Sequence, residues 1–396
     1  MKVNAVRAGT VLLASLALWA CLQPPPVDAR PAAQPASSEL TRCHRAFYDL
    51  RQLTGLQGSL GPRALRARDV TGDGREELLL LLKDKGLLVI LRGESAGGFS
   101  FLRSYPVGST PSDLAVEDVN ADGHQDVLVV GHFANALTVL LGSGGGSFRA
   151  PKSYPLGNHS QRLALADFNR DGHLDVVTKN GGSAGYFNIT LLLGHGDGTF
   201  GAAVPYATPD APMDLQVSDL NQDGRPDVLV ALLNRQVAVW LGQGNGTLLP
   251  SAAIPLPEDP WQILMSDANG DGREDMWVVH GLTDPGFVSL SLRSADGTFG
   301  PEQRFPQPSP HALLHEDIDG DGLKDLLVSS VDGHVLLQRG LQGGSFASSP
   351  LFLYSGSWPT ALAASDLDMN GLMDVAWTAG DTTLELLFNV GACGVP

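Results

Sequence analysis

One acidic nonapeptide, repeated seven times in phase, limits what this chain can fold into more than any other feature. The pattern Asp-x-Asn/Asp-x-Asp-Gly-x-x-Asp begins at Asp69, Asp118, Asp167, Asp219, Asp267, Asp317 and Asp366, at intervals of 49, 49, 52, 48, 50 and 49 residues. Self-similarity at a fixed period marks a supersecondary unit that stacks on copies of itself to bury its apolar face. The 396 residues therefore read as one array, not two unrelated domains.

Alignment on the first Asp exposes the unit. An aliphatic residue lies four positions upstream of each loop, and a proline lies seven upstream in every unit except the third, which has Ser160. An apolar run follows each loop, as in Leu78–Leu82 and Val228–Leu232, and a second comes later, as in Leu137–Leu141 and Val237–Leu241. A Gly-rich turn ending in an aromatic, such as Gly142–Phe148 or Gly194–Phe200, leads into a fourth extended stretch. Short runs bounded by turn residues are strands. Each unit is four strands, A to D, with the acidic loop joining A to B and the Gly-rich turn joining C to D. The expected fold is all-β: a seven-bladed β-propeller of four-stranded blades. A β-solenoid or an open array of sheets is the competing architecture.

The last unit has no D strand before Pro396, whereas Phe47–Leu53 precedes the first A strand without a unit of its own. This N-terminal strand is expected to complete the seventh blade and leave no open edge. Cys43 and Cys393 flank the array and are expected to form a disulfide across that seam; two unrelated thiols are the alternative. Upstream, Lys2 and Arg7 precede an apolar run, Ala8–Ala20, too short to span a bilayer. Residues 1–20 read as a signal peptide, and Leu18-Trp19-Ala20-Cys21 resembles a bacterial lipoprotein signal with Cys21 as the lipidated residue. An ordinary cleaved signal is the alternative. Residues 21–42, rich in Pro, Ala and Ser, read as a disordered tether, and residues 43–396 as the propeller. The expected location is exported and membrane-anchored through lipid, at the outer membrane or cell surface.

The net charge of −17 argues against a nucleic-acid partner. Of 43 acids, 22 occupy positions 1, 3, 5 and 9 of the seven loops, leaving 21 against 26 Lys and Arg elsewhere. The acidity is thus local, as expected if divalent cations neutralise it. Calcium takes six to eight oxygens, and carboxylates at alternate positions of a tight loop converge on one ion. The expected ligands are Asp69, Thr71, Asp73 and Glu77; Asp118, Asn120, Asp122 and Asp126; Asp167, Asn169, Asp171 and Asp175; Asp219, Asn221, Asp223 and Asp227; Asp267, Asn269, Asp271 and Asp275; Asp317, Asp319, Asp321 and Asp325; and Asp366, Asp368, Asn370 and Asp374. Position 7 would add a backbone carbonyl, and Gly at position 6 allows the turn. The sixth loop is the most acidic. The first, with Thr71 and Glu77, is expected to bind last or stay empty. A solvated Asx-rich hairpin turn is the competing reading of each loop. These loops are not EF-hands, since position 12 is not acidic and strands flank the loop.

With its acidic loops and turns such as Leu193-Gly194-His195-Gly196-Asp197-Gly198-Thr199-Phe200, the array from Cys43 to Pro396 resembles the FG-GAP/VCBS repeats of integrin-α-type propellers. The resemblance implies a propeller whose loop carboxylates hold calcium in a mainly structural role.

No catalytic pattern is found: Gly-x-Ser-x-Gly, His-Glu-x-x-His and a phosphate-binding loop are all missing. Trp240, Trp277 and Trp377 are expected to fill the space between blades, and His311 and His315 to serve packing or surface. The face opposite the acidic loops, where D–A and B–C connections meet, carries Arg162, Met213, Tyr186, Phe187, Trp261, His311 and Trp358 in loops. Aromatic and Arg side chains in exposed loops suit binding. Trp261 and Trp358 could stack on sugars, or simply cover the blade ends. The expected function is a monomeric, calcium-binding, non-catalytic scaffold for adhesion or protein binding. A carbohydrate-binding propeller is the alternative, followed by a polysaccharide-processing enzyme on the same fold.

Overall fold

The computed structural model describes residues 43–94, 98–157, 159–181, 187–280 and 286–389. Seven four-stranded antiparallel sheets follow one another around a ring. The A strands are Pro62–Arg68, Pro111–Glu117, Ser160–Ala166, Pro212–Ser218, Pro260–Ser266, Pro310–Glu316 and Pro359–Ser365. Each A strand touches the A strands of both neighbouring blades, the seventh touching the first, so these strands are innermost and the ring is closed. The B strands, such as Glu77–Leu82 and Asp325–Ser330, are buried at every residue in all seven blades. Sandwiched between neighbouring blades, they bury side chains on both faces, which is why after the first acid they read as consecutive apolar residues instead of alternating ones, for two residues in Asp175–Asn180 and five in Glu77–Leu82.

The ring closes with the N-terminal strand. Cys43–Asp49 pairs antiparallel with Thr383–Asn389, in register from Cys43 opposite Asn389 to Asp49 opposite Thr383. The strand lies four residues earlier than the Phe47–Leu53 segment expected from sequence. Asp49 is the reason: its Oδ1 accepts from the Arg51 amide at 2.9 Å and caps a helix, Leu50–Thr54, that Gly55 ends at φ 73°. It is the one helix among the described residues. Leu50 is fully buried with Leu60, Leu65 and Leu386. Cys21, Tyr186 and Cys393 lie outside the described residues, so the Cys43–Cys393 bridge and the lipid site fall outside them too.

Outer strands and turns clasp neighbouring blades in a repeated way. The Tyr105 hydroxyl accepts from the Phe148 amide at 3.0 Å, Tyr206 from Leu248 at 3.2 Å and Tyr48 from Phe99 at 3.1 Å. Tyr105–Phe148, Tyr154–Phe200 and Phe305–Phe346 meet edge to face at 5.3–5.6 Å between centroids. Tyr48, on the N-terminal strand, meets Phe99 of the first blade in the same way at 6.5 Å. The strand Cys43–Asp49 thus makes the contact that other outer strands make. Trp240, Trp277 and Trp377 are buried in clusters shared by adjacent blades, as expected.

Candidate functional site

The acidic loops share one internal architecture. In all seven, the first Asp accepts through Oδ2 from the amide of the Gly at position 6, at 2.8–2.9 Å. That glycine has φ between 76° and 86° in every loop, in the left-handed region where a side chain is strained. Position 9 behaves differently from the other acids. Asp126, Asp175, Asp227, Asp275, Asp325 and Asp374 start strand B and are at most 1% exposed. Each accepts through Oδ2 from the amide at position 2 and through Oδ1 from the amide at the far end of strand C, at 2.6–3.0 Å. This one side chain ties the A–B loop to the start of the C–D turn. Burial pushes all six carboxyls up, Asp325 and Asp374 to about 6.

In the sixth and seventh loops, oxygens of Asp317, Asp319 and Asp325, and of Asp366, Asp368 and Asp374, lie within 4.8 Å of one another. Such convergence of hard oxygen donors fits a divalent cation such as calcium. Loops two to five place the Asn120, Asn169, Asn221 and Asn269 side-chain oxygens beside the amide of the Asp at position 5, at 2.9–3.0 Å. Arginines reach several loop carboxylates: Arg92 meets Asp73 at 2.8 Å, and Arg339 meets Asp319 and Asp321. The first loop departs as its sequence suggests. Glu77 keeps the loop side of this anchor, its Oε2 accepting from the Val70 and Thr71 amides at 3.0 and 3.1 Å, but among the described residues it accepts from no amide at the end of strand C, and burial lifts it to about 7.

Replacing Asp325 by Ala would leave the Ile318, Asp319 and Gly340 amides without their acceptor. Each unpaired buried donor costs about 1–3 kcal/mol, so a loss of about 3–5 kcal/mol is expected. Urea unfolding in EGTA separates this from any metal effect. A loss below about 1 kcal/mol would contradict the structural role of position 9.

Opposite the loops, the structure corrects the expected loop placement of Arg162, Met213, Trp261 and His311. They belong to the A strands themselves, near their first residues. Every A strand shifts register between its first and third residues, a bulge that re-aims side chains at the channel mouth. A cavity of about 420 Å³ fills the channel, lined by Arg162, Trp261 and His311 together with Arg63, Asp113 and Lys179, among others. His311 lies 5.8 Å from Trp261 and 5.4 Å from Trp358, ring to ring, and Trp358 is 43% exposed. His315 is buried against Trp277 and bonds the Ser266 hydroxyl at 2.8 Å, a packing role. Phe187 is half-buried at the start of the third blade's C strand and is not part of the cavity.

Sequence reading missed most of the channel's charge. Asp113 and Asp214 are 3% and 2% exposed. Arg66 pairs with Asp113 at 3.1 Å and Arg162 with Asp214 at 3.2 Å. Asp113, Asp214 and Gln262 also accept from the Leu163, Ile263 and Leu313 amides of the next blade, at 3.1–3.3 Å. The signal was available: the third residue of strand A is polar in these blades and Ala in the first, sixth and seventh.

A family model described as FG-GAP-like repeat matches residues 69–129, 118–178, 182–230, 219–278 and 317–377. No curated protein matches the chain in sequence. Among solved structures, that of BBS1N in complex with ARL6DN, soaked with lead, superposes with a TM-score of 0.58 at 15% identity, covering 86% of this chain and 96% of that one. The mercury-soaked form of the same complex gives 0.58 at 14% identity, covering 84% and 93%. At such identity the likeness is one of fold. The matched segments together take in more than half of the sequence, and the chain belongs to the FG-GAP-like repeat family.

Proposed function

We propose that this protein is a calcium-stabilised, non-catalytic propeller that binds a partner protein through the face opposite its acidic loops. The observation that carries this reading is the set of apolar side chains exposed around the channel mouth. Phe133 is 60% exposed, Leu233 46% and Trp358 43%, all in connections on that face. Exposed aromatics on loops held by a rigid scaffold are the usual anchors of protein interfaces. The solved likeness supports it, since BBS1N was crystallised in complex with ARL6DN. The Lys2–Cys21 segment supports export and a lipid anchor, and residues 21–42 would supply the tether. Calcium would be held by the loop carboxylates at positions 1, 3, 5 and 9, with the first loop contributing least.

Cross-linking capture from cell surfaces tests the proposed face. A Phe133→Ala/Trp358→Ala double variant should lose the captured protein, because each anchor truncation typically costs about 2 kcal/mol or more. Equal capture by wild type and double variant would rule out this face. A second reading, carbohydrate binding, is favoured by one observation: Trp358 and Trp261 both flank His311 beside the cavity. On a glycan array it predicts binding that Trp358→Ala abolishes.

A further inference from the structure

The central cavity carries a charge opposite to that of the chain. Among its lining residues, four cations (Arg63, Arg66, Arg162 and Lys179) face two carboxylates (Asp113 and Asp214). Each carboxylate is engaged by one arginine, Asp113 by Arg66 and Asp214 by Arg162. Among the described residues the Lys179 ammonium, 4% exposed, donates to the Pro212 carbonyl alone, at 2.9 Å. Among the described residues, Arg63 has no carboxylate within ion-pair distance. His311, 8% exposed, lines the same cavity with its Nδ1 buried and without a hydrogen-bond partner.

We propose that the channel mouth is a binding site for a small oxyanion, a carboxylate or sulfate group on a ligand of no more than about 420 Å³, held between Arg63, Arg162 and His311. Three independent features converge on this. The cation excess is local to a concave, low-dielectric space inside a protein of net charge −17, where fields are focused. The groups come from the first, third and sixth blades, so nothing in a single strand's packing requires them to meet. A buried polar atom without a partner is costly, and His311 Nδ1 is one in the wall of this cavity.

Electrostatics agree with the geometry. Burial and Arg162 push the Arg63 guanidinium down; burial, Arg63 and Arg162 push His311 down to about 4; burial and Arg162 push Lys179 down to about 7. Cations from separate blades therefore repel one another across the channel, and an oxyanion between them relieves that repulsion. Arg63 and Gln161 also line a second cavity of about 300 Å³ with His132 and Phe133, so the site opens towards the outer shelf of that face.

The test uses the full chain in saturating calcium, titrated calorimetrically with D-glucuronate and, separately, with sulfate. Saturable binding of either is expected, with Arg63→Gln weakening it about tenfold. Among the described residues Arg63 has no ion-pair partner, so the variant should melt like wild type. Arg103→Gln, on the outer strand of the same blade, is the control and should bind normally. Glucuronate binding alone identifies a carboxylate site, whereas binding of both identifies a general oxyanion site. In ¹⁵N-histidine-labelled protein, the His311 ring signal should move on titration of wild type and stay still in Arg63→Gln. Absence of saturable binding by both anions, or an affinity unchanged by Arg63→Gln, overturns the proposal.

Discussion

Chelating calcium is expected to lower the thermal midpoint by about 10 °C. A dissociation constant of about 10⁻⁴ M is taken for each loop, within the range of weak calcium modules. At 1 mM calcium each such site then adds about 1.4 kcal/mol. Six competent loops add about 8 kcal/mol. A domain of this size has an unfolding entropy near 0.7 kcal/mol per kelvin, which converts that sum to about 10 °C. The physical source is the crowding of acids. In the sixth and seventh loops three carboxylates share a space less than 4.8 Å across, and burial already lifts Asp325 and Asp374 to about 6. The first loop should contribute least, because Thr71 stands where other loops place Asn or Asp. Differential scanning calorimetry in 1 mM calcium and in EGTA decides it. A midpoint shift under about 2 °C would rule out calcium as the stabilising ion, and Asp69→Ala should leave the shift intact.

Removing residues 43–54 should cost at least as much. That segment is the outer strand of the seventh blade and the helix that follows it. Full burial of Leu50 contributes about 2 kcal/mol and the Tyr48–Phe99 edge about 1 kcal/mol. The seven-residue ladder with Thr383–Asn389 adds backbone bonds worth about 0.5–1.5 kcal/mol each. Their sum approaches the whole stability of an ordinary domain, about 5–15 kcal/mol. The truncated chain should therefore unfold without a cooperative transition, or at a midpoint more than about 10 °C lower. It would also expose the edge of Thr383–Asn389 and self-associate. A sharp transition at the wild-type midpoint, in a monomer by light scattering, would show that the ring does not depend on this strand.

How much of this was readable beforehand depends on the range of the interaction. The place and turn of the A–B loops were readable, because the carboxylate at position 1 and the glycine amide at position 6 bond within the same short segment. The four-strand unit was readable because turns and apolar runs are local. The strand boundary at Asp49 was not, since a capping side chain and a five-residue helix leave little periodicity. The polar third position of strand A was visible as Asp113, Arg162, Asp214 and Gln262, but its meaning was hidden. In one strand a polar residue amid aliphatics has no evident partner; about fifty residues on, in the next blade, Asp113, Asp214 and Gln262 find a backbone amide and Arg162 finds the Asp214 carboxylate.

The amino-acid sequence by itself determined the number of blades, the order of strands within each and the place of the acidic loops, because each rests on contacts between residues close along the chain. Tertiary structure alone decided the double anchoring of position 9, the Tyr clasps between blades and the meeting of Arg63, Arg162, Lys179 and His311. Those contacts join residues on separate strands or separate blades, which only the folded sheets and ring bring together, and the bulge at the start of every A strand turns Arg63, Arg162 and His311 towards the channel mouth.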